Sequence, residues 1–219
     1  MTRGKAHTFL GMKIVHRDDR HFSLGMKPFL EQTIDEFGEE PMKASTPARS
    51  DLFDVDESKP LVDEHKKKLF HRLVHRTMFC AGRGRKDFEA TTSFLSKRPN
   101  FCNEDDCCKL RRMARCARDA KELEAPIGAE DIGRLIAFID ASHAVHPSMR
   151  GHAGGAIAFG IGVLESDSKM QKSNTRSSTE SEIVGVSDML PKVSCVQLFV
   201  EAQGHPLKEN IIFKTTNLQ

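Results

Sequence analysis

Two carboxylates in the second half of the chain have the chemistry of metal ligands. Asp140 ends the compact apolar run LIAFID, and Glu182 follows the Ser- and Thr-rich stretch NTRSSTES. An acid at the end of a buried strand is held rigidly, and hard oxygen ligands suit Mg²⁺. Two such ions can drive phosphodiester hydrolysis, at a site that normally takes about three or four carboxylates. A strand-end turn would explain Asp140 alone, the helix dipole would explain Glu182 alone, and helix capping explains Glu180.

The pattern of apolar residues predicts the elements that hold these acids. From Leu135 onward we expect short strands in LIAFID and GGAIAFGIGVLES, a helix in STESEIVGVSDMLPKV and a last strand in IIFKTT. An acid that ends the first strand and an acid on the first helix after a strand meander would then form one site. Strands with an intervening helix indicate an α/β domain.

The first half of the chain has the periodicity of helices. A hairpin is expected from His7, and a helix with Phe29, Leu30, Ile34 and Phe37 is expected to stop at Gly38. Residues 39–63 have the composition of an extended linker. Helical patterns follow from residue 65 to 96, with a glycine break at 82 and 84, and from residue 104 to 123, where the apolar face is thin. The fold class is therefore α/β, a helical N-terminal part followed by a mixed sheet with a helix.

Composition and charge set limits on the classes of function. The 219 residues carry a formal net charge of +2, which gives no global electrostatic argument for binding a polyanion. The N-terminus has no apolar signal core, and no stretch approaches the roughly 20 apolar residues that span a bilayer. We therefore expect an intracellular chain, cytoplasmic or nuclear. The six cysteines contain no CxxC pair, which predicts free, mostly buried thiols.

Several stretches, taken in order, resemble the pol region of copia-type long-terminal-repeat retrotransposons over residues 7–219. In the first half they are FLGMKI, STPA, FHRLVHRTMF and RGRKDFEATTSFLSKRP. In the second half they are FIDASHAVH, MRGHAGG, SKMQKSNTRSSTESEIVGVSDMLP and AQG. The resemblance implies a reverse transcriptase palm/thumb remnant at 1–38, a linker at 39–63, a helical thumb/connection-like region at 64–130 and an incomplete ribonuclease-H-like domain at 131–219.

The resemblance also implies a function and its residues. Asp140 and Glu182 would be the first two catalytic, metal-binding carboxylates for Mg²⁺-dependent hydrolysis of RNA in RNA/DNA hybrids. Thr215 stands where the family has a third acid, the fourth ligand would lie beyond Gln219, and the polymerase aspartates would precede Met1. The family's Arg-Pro-Asp motif reads Arg85, Lys86 and Asp87. We therefore expect the isolated chain to be inactive or nearly so.

Other polar clusters have two interpretations each. His143, His146 and His152 suggest a polar turn beside the nuclease cleft or a phosphate contact, and His71 and His75 suggest surface histidines. Basic residues suggest a solvated helix face or contact with a nucleic-acid backbone; the candidates are Arg83, Arg85, Arg111, Arg112 and Arg115. The expected partners are an RNA/DNA hybrid or another nucleic acid and the remaining pol segments. The alternative function is a non-enzymatic nucleic-acid-binding or structural remnant.

Overall fold

The computed structural model describes residues 4–18, 21–38 and 42–214. The chain forms two compact units that mix helices and sheets. One unit comprises Met1–Ile14 and Leu24–Glu124, and the other comprises Val15–Ser23 and Ala125–Gln219. The mixed helical and sheet architecture expected from the sequence is thus present. The four-part division of the chain into polymerase-like and nuclease-like segments stays a prediction.

The first unit is mainly helical. Its strand β1 (Ala6–Phe9) lies beside β2 (Met12–Asp18), and β3 (His21–Gly25) leads into the helices. Asp19 and Arg20, which come between β2 and β3 in the sequence, lie outside the described residues. The helices are α1 (Lys27–Phe37), α2 (Glu64–Ala81), α3 (Glu89–Leu95) and α4 (Glu104–Asp119), with a 3-10 turn at Lys86–Phe88.

Side-chain caps set the starts of the two longest helices of this unit. The Asp63 carboxylate accepts a hydrogen bond from the Lys66 amide at 2.8 Å and begins α2. Asn103 and Asp106 form a reciprocal capping box at the start of α4, with distances of 3.0 and 3.1 Å. Each cap satisfies amide groups that the helix itself leaves without a partner. The glycine stop predicted for α1 is also present, since Gly38 has a φ of 82°.

The segment between α1 and α2 packs against the core of the first unit. Leu52 belongs to the buried cluster with Phe70 and Met113, and Phe53, Val55 and Val62 pack against that cluster. Leu61 also forms a β-bridge with Asn103. Residues 42–63 therefore differ from the extended linker that their composition suggested, because a few apolar side chains anchor an otherwise polar segment.

Helix α4 packs despite its thin apolar face. Its buried apolar side chains are short or slender; they are Leu110, Met113, Ala114, Cys116 and Ala117. Small side chains let neighbouring elements approach closely, so a narrow stripe is enough to join α4 to the core.

The second unit contains a four-stranded mixed sheet of order β8-β6-β5-β9. Its strands are β5 (Arg134–Ser142), β6 (His152–Ala158), β8 (Glu165–Met170) and β9 (Glu209–Lys214). β5, β6 and β8 form an antiparallel meander, and β9 runs parallel to β5 with Ile139 opposite Lys214. The short strands β4 (Glu124–Ala129) and β7 (Gly160–Ile161) pair with each other. They belong to a separate sheet, in which β2, β3, β4 and β7 are neighbours in that order.

Helix α5 (Ser178–Ala202) covers one face of the four-stranded sheet. Its residues Met189, Val193 and Val200 form a core with Leu135, Ala137, Ile139 and Ile157. Gly155 makes room for the helix, because a Cβ there would lie 2.7 Å from Cε of Met189. This close approach fixes the position of the helix on the sheet.

The outer side of α5 is also apolar. Ile183, Leu190, Leu198 and Phe199 are all exposed on it. In the part of the chain that the structure describes, α5 is the one helix whose length and composition would let it cross a membrane, a test that core helices also pass. The sequence predicted a helix here but no stretch long and apolar enough to span a bilayer, so the apolar character of α5 was not predicted. The location of the protein stays a prediction.

Candidate metal and nucleic-acid sites

Asp140 lies near the C-terminal end of β5. Exposure alternates along the strand, so that Leu135, Ala137, Ile139 and Ala141 are buried beneath α5 while Asp140 belongs to the opposite, more open face. Gly154 is its cross-strand partner on β6 and adds no side chain there. Among the described residues, none forms a hydrogen bond or an ion pair with the Asp140 carboxylate. This acid is half-buried and available to a ligand.

Glu182 lies in the second turn of α5. Ser177 caps the helix by accepting a hydrogen bond from the Glu180 amide at 3.2 Å, and the Glu180 carboxylate accepts one from the Arg176 amide at 2.6 Å. Glu180 is therefore engaged at the helix entry, as its place in the sequence suggested. Glu182 is half-buried on the adjacent turn.

Packing between α5 and β5 brings the two acids to the same end of the sheet. Gly185, one turn after Glu182, faces β5: a Cβ at Gly185 would lie 3.2 Å from Cβ of Ala141 and 3.8 Å from the Asp140 carbonyl oxygen. Met189, another turn on, contacts Gly155, which pairs with Ile139. The helix thus runs back along β5, and its first turns lie at the C-terminal end of that strand.

The parallel strand β9 ends at the same edge of the sheet. Lys214, opposite Ile139, is its last described residue. Thr215, expected at the position of the family's third acid, lies outside the described residues. Parallel strands direct their C-terminal ends to one edge, where α/β sheets commonly bind ligands.

A buried polar network anchors the start of α5 to the end of β5. The His143 Nδ1 atom lies 3.2 Å from Ser181 Oγ and 3.1 Å from Thr175 Oγ1, and the two hydroxyls lie 2.5 Å apart. Gln171 is fully buried and donates a 2.6 Å hydrogen bond from Nε2 to the Ser181 carbonyl. The sequence predicted only a polar turn for His143. Its hydrogen-bond partners were not predicted, because the Ser, Thr and Gln residues before the helix do not follow a recognisable spacing.

The other two candidate histidines are interior residues. His146 and His152 are 5% and 8% exposed, and their rings hydrogen-bond through Nε2 and Nδ1 at 3.0 Å. Nε2 of His152 also lies 2.8 Å from Ser168 Oγ. Their burial argues against the phosphate contact considered for them.

An ion-pair network joins β8 to α5. The sequence analysis did not predict it. Lys192 lies 3.1 Å from Glu165 and 3.5 Å from Asp167, while Lys169 lies 3.2 Å from Asp167. Burial alone would raise the pKa of Asp167, but the hydrogen bond from Lys169 and the charge of Lys192 hold it below its ordinary value. These residues stabilise the packing of the helix on the sheet.

Arg85, one of the five candidate nucleic-acid residues, is a core residue. It is 1% exposed, binds Asp87 through two hydrogen bonds of 2.9 and 2.7 Å, and donates to the Ala120 carbonyl at 3.2 Å. Its guanidinium lies 4.0 Å from the ring centroid of Phe88. Because its side chain is buried and binds Asp87 and the Ala120 carbonyl inside the protein, Arg85 is not available to phosphate.

The other four candidate arginines lie nearer the surface of the first unit. Arg83 stacks on Phe79 at 3.7 Å from the ring centroid. Arg111 lies 3.6 Å from Glu104. Arg112 donates from Nη2 to Thr46 Oγ1 at 2.9 Å, while its Nε is buried without a hydrogen-bond partner among the described residues. Arg112 and Arg115 line the same pocket.

That pocket is a cavity of about 250 Å³ between α4 and the 42–52 segment. Four basic side chains line it against two acidic ones; they are Arg49, Lys109, Arg112 and Arg115, and Asp51 and Asp105. Arg49 pairs with Asp51 at 3.2 Å and Lys109 with Asp105 at 2.8 Å. The excess of positive charge makes the cavity suitable for an anion.

Similarity to known proteins does not assign this chain to a family. No family model matches it. Neither a curated protein nor a solved structure matches it. The resemblance to copia-type pol therefore rests on the sequence stretches alone.

Asp140 and Glu182 both supply carboxylate oxygens, the kind of ligand that Mg²⁺ takes. Two carboxylates, with water or substrate phosphates as further ligands, are a usual environment for a single Mg²⁺. No group of three or more His, Cys, Asp or Glu side chains suited to a metal occurs in the described part of the chain. Holding two ions normally takes more carboxylates than this.

Proposed function

We propose that the second unit is a ribonuclease-H-like domain that binds one Mg²⁺ ion through Asp140 and Glu182. Its ancestral chemistry is the hydrolysis of RNA in RNA/DNA hybrids. The observation that carries the proposal is the arrangement of the elements: an antiparallel meander, a helix and a strand parallel to the first, with one acid near the end of β5 and the other at the start of α5. The motif stretches around both acids support the same assignment.

The roles of the two acids follow from their positions. When bound, Mg²⁺ would supply Lewis-acid polarisation of a phosphoryl oxygen. Asp140, on a strand paired on both sides, offers a rigid carboxylate, and Glu182 offers one whose position is set by the Gly185–Ala141 contact. Both carboxylates would be used to hold the ion, so water activation would depend on a third group.

The missing third acid predicts a very low nuclease activity. Thr215 carries a hydroxyl where the resemblance expects a carboxylate, and a neutral hydroxyl neither balances the charge of a second ion nor binds it firmly. We therefore propose that the chain retains the scaffold and a single-ion site while it has lost most of the catalysis.

Direct metal binding and restored cleavage test the proposal together. Titration with Mg²⁺ and Mn²⁺, followed by calorimetry, should show one site that Asp140→Asn and Glu182→Gln each abolish. Glu180→Gln is the matched control, because Glu180 serves the helix entry, and it should leave binding unchanged. Thr215→Asp should give Mg²⁺-dependent cleavage of a labelled RNA/DNA hybrid, and adding Asp140→Asn should remove it. Metal binding that ignores both acids, or a Thr215→Asp variant without cleavage, would overturn the assignment.

A second candidate function is non-enzymatic binding of nucleic acid by the first unit. The cavity lined by Arg112 and Arg115 favours it, because its excess positive charge can neutralise backbone phosphates. Binding of a hybrid should weaken linearly with the logarithm of salt concentration, and Arg112→Gln with Arg115→Gln should reduce that slope by about 1 to 2. An Arg72→Gln variant is the control, since Arg72 pairs with Glu36 and does not line the cavity. An unchanged slope would exclude this cavity as the contact.

A further inference from the structure

His71 and His75 form a close pair on the exposed side of α2. Their Nε2 atoms lie 3.3 Å apart, and the ring centroids lie 4.2 Å apart with the rings nearly perpendicular. Both side chains are exposed. Residues four apart in a helix are neighbours on its surface, so the pair follows from the spacing. The spacing by itself does not explain why the two Nε2 atoms converge on one point.

The helix holds this pair in place from its other side. Phe70, Leu73, Val74 and Thr77 are buried on the core-facing stripe of α2. The Asp63 cap fixes the start of the helix two turns earlier. The backbone that carries both imidazoles is therefore rigid, and only side-chain rotations separate the observed state from a chelating one.

The distance between the two nitrogens matches that of two ligands on one metal ion. Histidine nitrogens bind Zn²⁺ at about 2.0–2.1 Å, so two of them at a tetrahedral angle lie about 3.3 Å from each other. One ring already donates to the other, which requires at least one unprotonated Nε2. Replacing that shared proton by a metal ion needs little movement of either ring.

Acids of the same unit neutralise part of the positive charge around the pair. Arg72 and Arg76 both pair with Glu36, at 2.9 and 3.2 Å, and Lys67 pairs with Glu64 at 3.3 Å. The repulsion that a basic helix would exert on a divalent cation is reduced accordingly. Water would complete the coordination sphere on the solvent side, because no third protein ligand from the described residues joins the cluster.

We propose that His71 and His75 form a two-histidine chelate for a divalent transition-metal ion, with Zn²⁺, Ni²⁺ and Cu²⁺ as the ions that imidazole prefers. The site lies in the first unit and is independent of the proposed Mg²⁺ site, which uses carboxylates. Hard ions such as Mg²⁺ do not bind to it. Binding weakens as the pH falls, because protons compete with the metal for imidazole.

The experiment uses the full chain with its two exposed thiols removed. Cys108 and Cys195 are exposed and would bind the same ions, so the background carries Cys108→Ser and Cys195→Ser. Titration with Ni²⁺ and Zn²⁺ by calorimetry at pH 7.5 should show one site. His71→Ala and His75→Ala should each weaken binding by about 10-fold or more, since each removes one of two ligands. His65→Ala, another exposed histidine on α2, is the matched control.

A second readout keeps the proposal testable if other weak sites contribute heat. Saturating Ni²⁺ should raise the thermal midpoint of the background protein and of His65→Ala, but not that of His71→Ala or His75→Ala. Circular dichroism without metal checks that all variants retain their helices. Binding that survives both single substitutions, or that His65→Ala reduces equally, would overturn the proposal.

Discussion

Arg85 and Asp87 form a two-bond ion pair, with Nε 2.9 Å from Oδ1 and Nη2 2.7 Å from Oδ2. The arginine side chain has no exposed surface, whereas the Asp87 side chain is 36% exposed. In the sequence these residues stood out as a departure from a family motif and as part of a basic cluster. In the structure they join the 3-10 turn to the end of α4 through the Ala120 carbonyl.

Removing Asp87 should destabilise the first unit. Asp87→Ala leaves a buried guanidinium without its carboxylate, at a cost of about 2–3 kcal/mol, below the range for fully buried pairs because Asp87 is partly solvated. Urea unfolding measures the change. Asp51→Ala, which breaks the exposed pair with Arg49, should have no measurable effect. Equal losses in the two variants would contradict a structural role for the Arg85 pair.

Adding a methyl group at Gly155 should disturb the packing of α5. A Cβ there would lie 2.7 to 2.9 Å from three atoms of Met189, so Gly155→Ala should cost about 1–3 kcal/mol by overpacking. Shortening the opposing side chain with Met189→Ala should relieve the clash. A double-mutant cycle should therefore give a coupling energy of about 0.5 kcal/mol or more in the stabilising direction. Additive effects would show that the two residues are not in contact.

The Asp167 network should make stability depend on acid pH. The pKa of Asp167 is lower in the folded protein than its ordinary value of 3.8, because the pairs with Lys169 and Lys192 outweigh burial. Its contribution is therefore present above about pH 4 and is lost as the pH falls through the lower, folded-state pKa. Asp167→Asn should lose about 1 kcal/mol or less at pH 7 and nothing further in acid.

The stabilising contribution of the same network is lost at alkaline pH as the pH rises. Hydrogen bonds to Glu165 and the charge of Asp167 raise the pKa of Lys192 above its ordinary 10.5, although burial by itself would lower it. Its contribution is complete below that ordinary value and disappears as the pH rises through the folded-state pKa. Denaturation midpoints at pH 3, 7 and 11 for the wild type and Asp167→Asn measure both limbs. Parallel pH profiles of the two proteins would contradict the assignment.

The six thiols should react in two distinct groups. All six are free in the structure, as the sequence predicted, but only Cys80, Cys102 and Cys116 are fully buried. Burial raises the pKa of Cys80 to about 12 and that of Cys107 to about 11, which suppresses the reactive thiolate. Iodoacetamide followed by peptide mass spectrometry should label Cys108 and Cys195 first in the native protein. Labelling of Cys80 at the same rate would show that its helix opens readily.

Local patterns in the sequence were sufficient to predict most of the helices and strands. The apolar spacing of Leu30 and Ile34 placed α1, the LIAFID run placed β5, and the Ser and Thr residues before Glu180 placed the start of α5. These features depend on contacts within a few residues, such as caps, turns and side chains on one face. The identity and order of neighbouring residues therefore specify these features.

Tertiary structure alone decided which of these elements meet. No pattern near Arg85 in the sequence predicts its burial, because the buried side chain depends on a hydrogen bond to a carbonyl group 35 positions away. The packing of Leu52, the burial of His146 and His152, and the convergence of His71 with His75 likewise depend on side-chain and chain-chain geometry. Position in the strand and helix patterns identified Asp140 and Glu182 as acids of interest, but the Gly185–Ala141 contact brings them to one end of the sheet. Contacts between distant segments arise only when complementary faces are buried together, and a local pattern does not specify its partner.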